Sequence, residues 1–289
     1  MFRKLWIPVL LFIIVIFVFA WALLTPAHAA AEGVDMAQEQ LVTYGVLMDD
    51  SDLYDLDFDH DLVKQIQKAL NKYLSKHASG YKKISEDGVF GPGTAQAVKL
   101  YQYKKGLTID GICGPKTLKS LGIDPEGITS YPRWIPNLYE SFRKSTTGMA
   151  LHLNLGSHKL EVYVQDGDEW YLVRVMLAAT GNYKKGNFTD LGDLLIGKTR
   201  HKYIAGTSNG KKWRGYFALG IQKGDFFHTV LAHYKNGQWV FDDNSALGKD
   251  VTHGCVRLAR ENAEWLYENV KPGTACVVDD RAWDFPVTD

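Results

Sequence analysis

Residues 251–258 read VTHGCVRL, with His253, Gly254 and Cys255 in succession and Arg257 close behind. A thiolate is the active nucleophile, but an ordinary thiol of pKa about 8.5 is only a few per cent ionised at neutral pH, so chemistry at Cys255 needs a base. The candidates are His253 and, upstream in GDFFHTVLAHY, His228 and His233. If the stretch around Cys255 is extended, residues 253 and 255 project to one side, yet such neighbours are poorly placed for a linear proton transfer. A histidine on an adjacent strand would approach better. The same four side chains are acceptable zinc ligands. However, no H-E-x-x-H helix occurs and no glutamate sits near them to serve as a metal-assisted base.

The free thiol matters more because of how the chain begins. Arg3 and Lys4 precede an uncharged apolar run from Leu5 to Leu24, and Ala27-His28-Ala29 after Pro26 has the small-x-small form of a signal-peptidase site. The run is also long enough to span a bilayer, for which about 18 apolar residues suffice. Residues 1–30 are therefore either a cleaved signal peptide or a retained N-terminal anchor, and both deliver the remainder outside the cytoplasm. Three cysteines, Cys113, Cys255 and Cys276, are too few for a disulfide scaffold and odd in number. Cys113 and Cys276 lie in apolar surroundings and read as buried small hydrophobes, and a bridge between them would link two separate domains. Only Cys255 has polar company. Lysine plus arginine and aspartate plus glutamate number 33 each, for a net charge of +0, which gives no electrostatic reason to expect nucleic acid. At 46% hydrophobic and 12% aromatic, the chain can bury a sizeable core.

Residues 31–61 read as an acidic linker that ends in DDSDLYDLDFDHD. Its alternating aspartates suit a calcium loop, except that His60 stands where the sharp-turn glycine belongs and Ile66 where the bidentate glutamate belongs. From Leu62 the spacing turns helical, with Ile66, Leu70 and Leu74 on one face. DGVFGPGTAQAV from Asp87 is then echoed by DGICGPKTLKSL from Asp110, offset by 23 residues. Each unit is a turn, a Gly-Pro step and a helix, with Pro92 and Pro115 at the first helical position, where a missing N–H costs nothing. Residues 62–122 thus form three short helices. On the doubled D-G-x-x-G-P-x-T signature they resemble the peptidoglycan-binding module of bacterial wall enzymes, which implies peptidoglycan as a partner.

Residues 123–147, punctuated by Pro125, Pro132 and Pro136, read as a linker with one short helix near Asn137 to Arg143. Beyond Gly148 the period becomes two: Leu151, Leu153 and Leu155, then Leu160, Val162 and Val164, then EWYLVRVMLAATG after a turn at Asp166-Gly167. Short strands continue to about Val240. RENAEWLYENV is a last helix, with a stripe of Ala259, Ala263, Leu266, Tyr267 and Val270, and TACVV a closing strand. This makes residues 148–280 a mainly β domain with a short helix. The cysteine motif is expected between a strand end and a helix start, where free backbone N–H groups can meet an anion.

The segment Thr252-His253-Gly254-Cys255-Val256-Arg257 fills all six places of the active-site signature of L,D-transpeptidases, and residues 148–280 resemble that family's catalytic domain, a β-sandwich with a short helix. The resemblance implies that Cys255 attacks the carbonyl between an L-centre diamino acid and the terminal D-alanine of a peptidoglycan tetrapeptide stem. It implies His228 as the base, holding the thiol deprotonated, and the Thr229 carbonyl as the group that orients it. His233 stays in reserve, because the spacing from His228 to His253 implies an insertion in YKNGQWVFDD. The N–H groups of Gly254 and Cys255, with His253, would stabilise the oxyanion. GNFTDLG keeps part of the family's Thr-Pro-x-Gly, namely Thr189, Asp190 and Gly192. Arg257 either meets a stem carboxylate or braces the loop, and Thr252 is placed with it at the substrate.

An amine from a second stem would resolve the thioester into a 3→3 cross-link, whereas water would make the protein an L,D-carboxypeptidase. The partners implied are stem peptides as donor and acceptor, with no metal or organic cofactor. The location implied is the cell wall, with membrane contact only through an uncleaved leader. The non-enzymatic alternative is a wall-binding protein whose second domain merely packs, against which the intact signature argues.

Overall fold

Two glutamines in the helical part of the chain organise the doubled turn. In the computed structural model, which describes residues 46–47 and 58–280, helix α1 (His60–His77) starts at Asp59, whose side chain accepts from the Leu62 N–H at 2.9 Å. It buries Val63, Ile66, Leu70 and Leu74 on one face. Helices α2 (Pro92–Lys105) and α3 (Pro115–Leu121) each begin on proline and end on a left-handed glycine, Gly106 and Gly122, as expected where a residue beyond the helix must take positive φ.

Buried Gln67 of α1 donates to Asp87 Oδ1 (2.9 Å) and the Val89 carbonyl (3.0 Å), and accepts from the Gly88 N–H (2.8 Å). Gln102 of α2 repeats the circuit with Asp110 Oδ1 (2.8 Å), the Ile112 carbonyl (3.0 Å) and the Gly111 N–H (3.0 Å). Each amide also donates to the threonine of its repeat, Thr94 at 3.3 Å and Thr117 at 3.2 Å, so the repeated aspartate, glycine and threonine are the partners of a buried amide, which would be costly to leave unsatisfied.

After α4 (Leu138–Phe142), capped by the Asn137 side chain, the chain is mainly β. The strands are β1 (Val46–Leu47), β2 (Met149–Asn154), β3 (Lys159–Asp166), β4 (Glu169–Gly181), β5 (Gly192–Ser208), β6 (Lys211–Ile221), β7 (Phe226–Thr229), β8 (Ala232–Lys235), β9 (Gln238–Phe241), β10 (Asp250–Thr252), β11 (Val256–Leu258) and β12 (Ala275–Asp279), with α5 (Arg260–Asn269) before the last. Their order is β5-β12-β2-β3-β4-β11-β7-β6-β8-β9. β5 pairs with β12 over Gly192–Leu195 and with β6 from Ile196 onward, so the sheet curls back on itself. The two halves enclose a core that includes Leu151, Leu160, Met176, Leu219, Phe227, Val256 and Val277, all at most 1% exposed. A closed arrangement of this kind also hides strand edges that would otherwise invite pairing with other chains.

The structure differs from the sequence reading in two places. Val46–Leu47, inside the acidic stretch, pairs antiparallel with Tyr171 and Trp170 of β4. The cysteine motif lies between strands β10 and β11, and α5 starts only at Arg260. Three residues of VRL are too few to show a period, and what makes them a strand is pairing with β4 on one side and β7 on the other. The leader, the aspartate run at 48–57 and residues 281–289 lie outside the described residues. Among the described residues no helix is long and apolar enough to cross a membrane.

Candidate active site

β7 and β11 run parallel, with Phe227 opposite Val256, His228 opposite Arg257 and Thr229 opposite Leu258. Alternation then sends Phe227, Val256 and Leu258 into the core and leaves His228, Arg257 and Cys255 on one shared face. The thiol and the upstream histidine, 27 positions apart in sequence, are thus brought together by a strand pair. β6 supplies the floor: a Cβ on Gly215 would lie 2.4 Å from His228 Nδ1 and 2.9 Å from Cγ, so the imidazole packs over bare backbone.

His228 is 3% exposed, and its Nδ1 lies 2.7 Å from the Thr229 carbonyl. A carbonyl can only accept, so Nδ1 carries the hydrogen and Nε2 is left with its lone pair. Burial pulls the imidazole pKa down to about 4 against the hydrogen bond to Thr229, and Arg257 lowers it further. Burial likewise pushes the Cys255 thiol up. The Phe226 N–H opposes this, the Asp225 carboxylate adds to it, and Arg257 and the cysteine's own N–H oppose it. Both shifts favour the neutral forms, thiol and imidazole, over the deprotonated thiol expected from the sequence. Cys113 and Cys276 are fully buried and unpaired, with thiol pKa values raised by burial, that of Cys276 to about 12.

Gly254 has φ +140°, and a Cβ there would meet Asp225 Oδ1 at 2.6 Å and the Phe188 carbonyl at 3.1 Å. Conformation and crowding both demand glycine. Its N–H donates to Thr252 Oγ1 (3.2 Å), so buried Thr252 and the Gly254 N–H are spent on each other. Its carbonyl accepts from Thr189 Oγ1 (2.6 Å), which itself accepts from the Gly181 N–H (2.9 Å). Asp190 N–H donates to Asp225 Oδ2 (3.2 Å). Burial, resisted by that bond, lifts Asp225 to about 6. His253 is exposed.

His233, on β8, is turned to Asp242, with Nε2 3.1 Å from Oδ2, and its buried Nδ1 has no partner among the described residues. Arg257 is half-buried beside Asp242, and its Nε is likewise buried with no partner among the described residues. Sequence reasoning missed Gly215 and Asp225. A glycine inside a strand was the signal for the first, since it marks a close approach by another group. Asp225 looks like an ordinary turn residue.

Residues 148–278 match the family model described as "L,D-transpeptidase catalytic domain", and residues 59–121 match "Putative peptidoglycan binding domain". The "Putative L,D-transpeptidase YciB" of Bacillus subtilis (strain 168) is 22% identical over 120 residues, 41% of this chain and 60% of that protein. The N-acetylmuramoyl-L-alanine amidase CwlL of Bacillus licheniformis is 44% identical over 59 residues, 20% of this chain and 16% of the amidase. The chain thus spans less than two thirds of the length of either curated relative. A solved L,D-transpeptidase from Stackebrandtia nassauensis aligns with TM-score 0.34 at 19% identity, covering 79% of this chain and 98% of that one.

Proposed function

We propose that this chain, which carries an L,D-transpeptidase catalytic domain behind a peptidoglycan-binding module, is exported through residues 1–30 and forms 3→3 cross-links in the cell wall through a thioester on Cys255. The observation that carries the reading is the shared face of β7 and β11, which presents the thiol, the imidazole and the guanidinium on one side of a strand pair.

Cys255 Sγ attacks the carbonyl between the diamino acid and the terminal D-alanine as its proton passes to His228 Nε2. Because both groups rest neutral, transfer accompanies attack, as in general-base catalysis, a contribution of about 10²–10⁴. The Cys255 N–H meets the developing oxyanion, the Gly254 N–H being held by Thr252, and exposed His253 is a second donor. Such a donor is worth about 10²–10³ in rate. The tetrahedral intermediate collapses to the thioester, the C–N bond breaks, and His228 returns its proton to the departing D-alanine amine. A neutral side-chain amine of a second stem then attacks the thioester and gives its proton to His228, and the thiolate leaves and is reprotonated there. Half-buried Arg257 is suited to a stem carboxylate, which a planar guanidinium binds through directed N–H groups. The module at 59–121 keeps the site on its polymer.

The test is mass spectrometry of products after the full chain is incubated with disaccharide-tetrapeptide, beside Cys255→Ser. A cross-linked dimer lacking one D-alanine, absent with the variant, is expected. Tripeptide alone would make the protein a carboxypeptidase, and unchanged substrate in both reactions would leave only wall binding.

A further inference from the structure

The wall-binding module reaches the nucleophile through a continuous set of contacts that the reaction scheme does not use. On α2, Gln96 Oε1 accepts from the Leu191 N–H at 3.3 Å. The Tyr103 ring meets Phe188 edge-on, with centroids 6.2 Å apart at 85°. Gly186, at φ +76°, is bare beneath the same ring: a Cβ there would lie 2.8 Å from Tyr103 Cε1. Buried Lys99 pairs with Asp280 just past β12 and sets its ammonium 5.8 Å from the Tyr183 ring centroid. Apart from Asp280, all the partners belong to residues 183–191.

That segment is the one that grips the cysteine loop. Thr189 Oγ1 holds the Gly254 carbonyl, the Phe188 carbonyl packs on Gly254, and Asp190 N–H fixes Asp225, whose other oxygen packs on Gly254 as well. The Gly254 carbonyl and the Cys255 N–H belong to one trans peptide, so they point in opposite directions. Drawing the carbonyl onto Thr189 therefore aims the Cys255 N–H away from it, toward the cysteine's own sulfur.

We infer that Gln96 and Tyr103 of the peptidoglycan-binding module are positioning residues of the catalytic site: they seat residues 186–191, and through Thr189 that segment sets the Gly254–Cys255 peptide. The module is thereby part of the scaffold of the site as well as its tether. The inference rests on the reading of Cys255 as the nucleophile.

The experiment uses the full chain with Tyr103→Ala, Gln96→Ala, Tyr103→Phe and, as a control, Tyr73→Ala, whose ring packs within the module on Tyr101 and His77. Three quantities are read: the pH profile of Cys255 alkylation by iodoacetamide, mapped by mass spectrometry; kcat and KM for tetrapeptide; and retention on insoluble peptidoglycan. The titratable or charged groups that face Cys255 or its neighbour Asp225, namely Asp190, Asp225, Lys223, Arg257, His228 and His253, keep their identity in all of these variants. Loosening the segment is expected to move the alkylation profile to higher pH, because an N–H that favours the thiolate is misaimed. It should also lower kcat about 3- to 30-fold, the range set by coupling through packed networks, with KM and retention unchanged. Tyr103→Phe, which keeps the ring, should restore both, and Tyr73→Ala should alter neither.

An alkylation profile in Tyr103→Ala and Gln96→Ala that overlays the parent would overturn the inference. So would an equal shift in Tyr73→Ala, which would mean that module stability alone is being read. Since alkylation needs no stem peptide, an absence of transfer in the parent protein would count against the proposed reaction and leave the positioning result legible.

Discussion

His152 on β2 and His228 on β7 are both nearly wholly buried, at 4% and 3% exposure, and their pKa values are shifted in opposite directions. Burial lowers the pKa of each. At His152 that effect is overridden by Asp279, 3.1 Å from Nε2, and Glu161, 2.9 Å from Nδ1, which raise the imidazole to about 9. At His228 nothing overrides it. Among the described residues its hydrogen bond is to the Thr229 carbonyl and the charge beside it is Arg257, so burial holds the ring at about 4. An imidazolium clasped by two carboxylates is a structural cation that joins β2, β3 and β12. An imidazole with a free Nε2 and no carboxylate can take a proton and give it back. What separates the two histidines is the sign of the groups at the ring, because their depth is the same.

Removing each ring should sharpen that contrast. His228→Gln keeps a polar side chain but not a base, and we expect kcat for transfer to fall about 10²–10⁴-fold with little change in the denaturation midpoint. In the parent protein the acid limb of kcat/KM should extend toward pH 4 instead of turning near 6.5, because the base stays neutral until its lowered pKa is reached. An acid limb centred at 6.5 would show that the ring is solvated in the working enzyme. His152→Gln should do the reverse. It breaks the pair with Asp279, whose side chain is 1% exposed, and breaking a buried pair costs about 3–5 kcal/mol, while kcat for the surviving folded protein is unchanged. The pH dependence follows from the direction of the shift. The folded state holds the His152 proton more tightly than the unfolded chain, so this contribution is complete below about pH 6.5 and lost as pH rises through about 9. Urea denaturation across that window, for parent and variant, checks both statements.

The same contrast explains what the sequence could and could not disclose. Gly254 and Cys255 were legible because their signal is local: a nucleophile beside a histidine and a glycine in one six-residue run. The module's helices were legible from the spacing of Ile66, Leu70 and Leu74 and from the prolines that begin α2 and α3. His152 was not, since its two carboxylates come from β3 and β12, the latter 127 positions away. Gln67 and Gln102 look like exposed helix residues until the turns they satisfy fold over them. Gly215 carries no meaning until the His228 ring lies on it. The neutral state of the thiol and imidazole depends on depth and on Asp225, and neither can be read from a motif.

Asp225 offers the finest adjustment, because its carboxylate acts on the Cys255 thiol, whereas His228 answers to burial, Thr229 and Arg257. Its charge raises the Cys255 pKa, so Asp225→Asn, which retains an oxygen for the Asp190 N–H, should shift the alkylation profile of Cys255 to lower pH. The variant should also change the pH dependence of stability. Burial lifts the Asp225 carboxyl from 3.8 to about 6, so the folded state binds its proton more tightly than the unfolded chain. The associated stability is complete below about pH 3.8 and lost as pH rises through about 6. Asparagine has no such proton, and its denaturation midpoint should therefore gain on the parent between pH 4 and 7. If the alkylation profile stays in place while the stability gain appears, Asp225 is ionised but screened from the sulfur, and the neutral thiol is the work of burial alone.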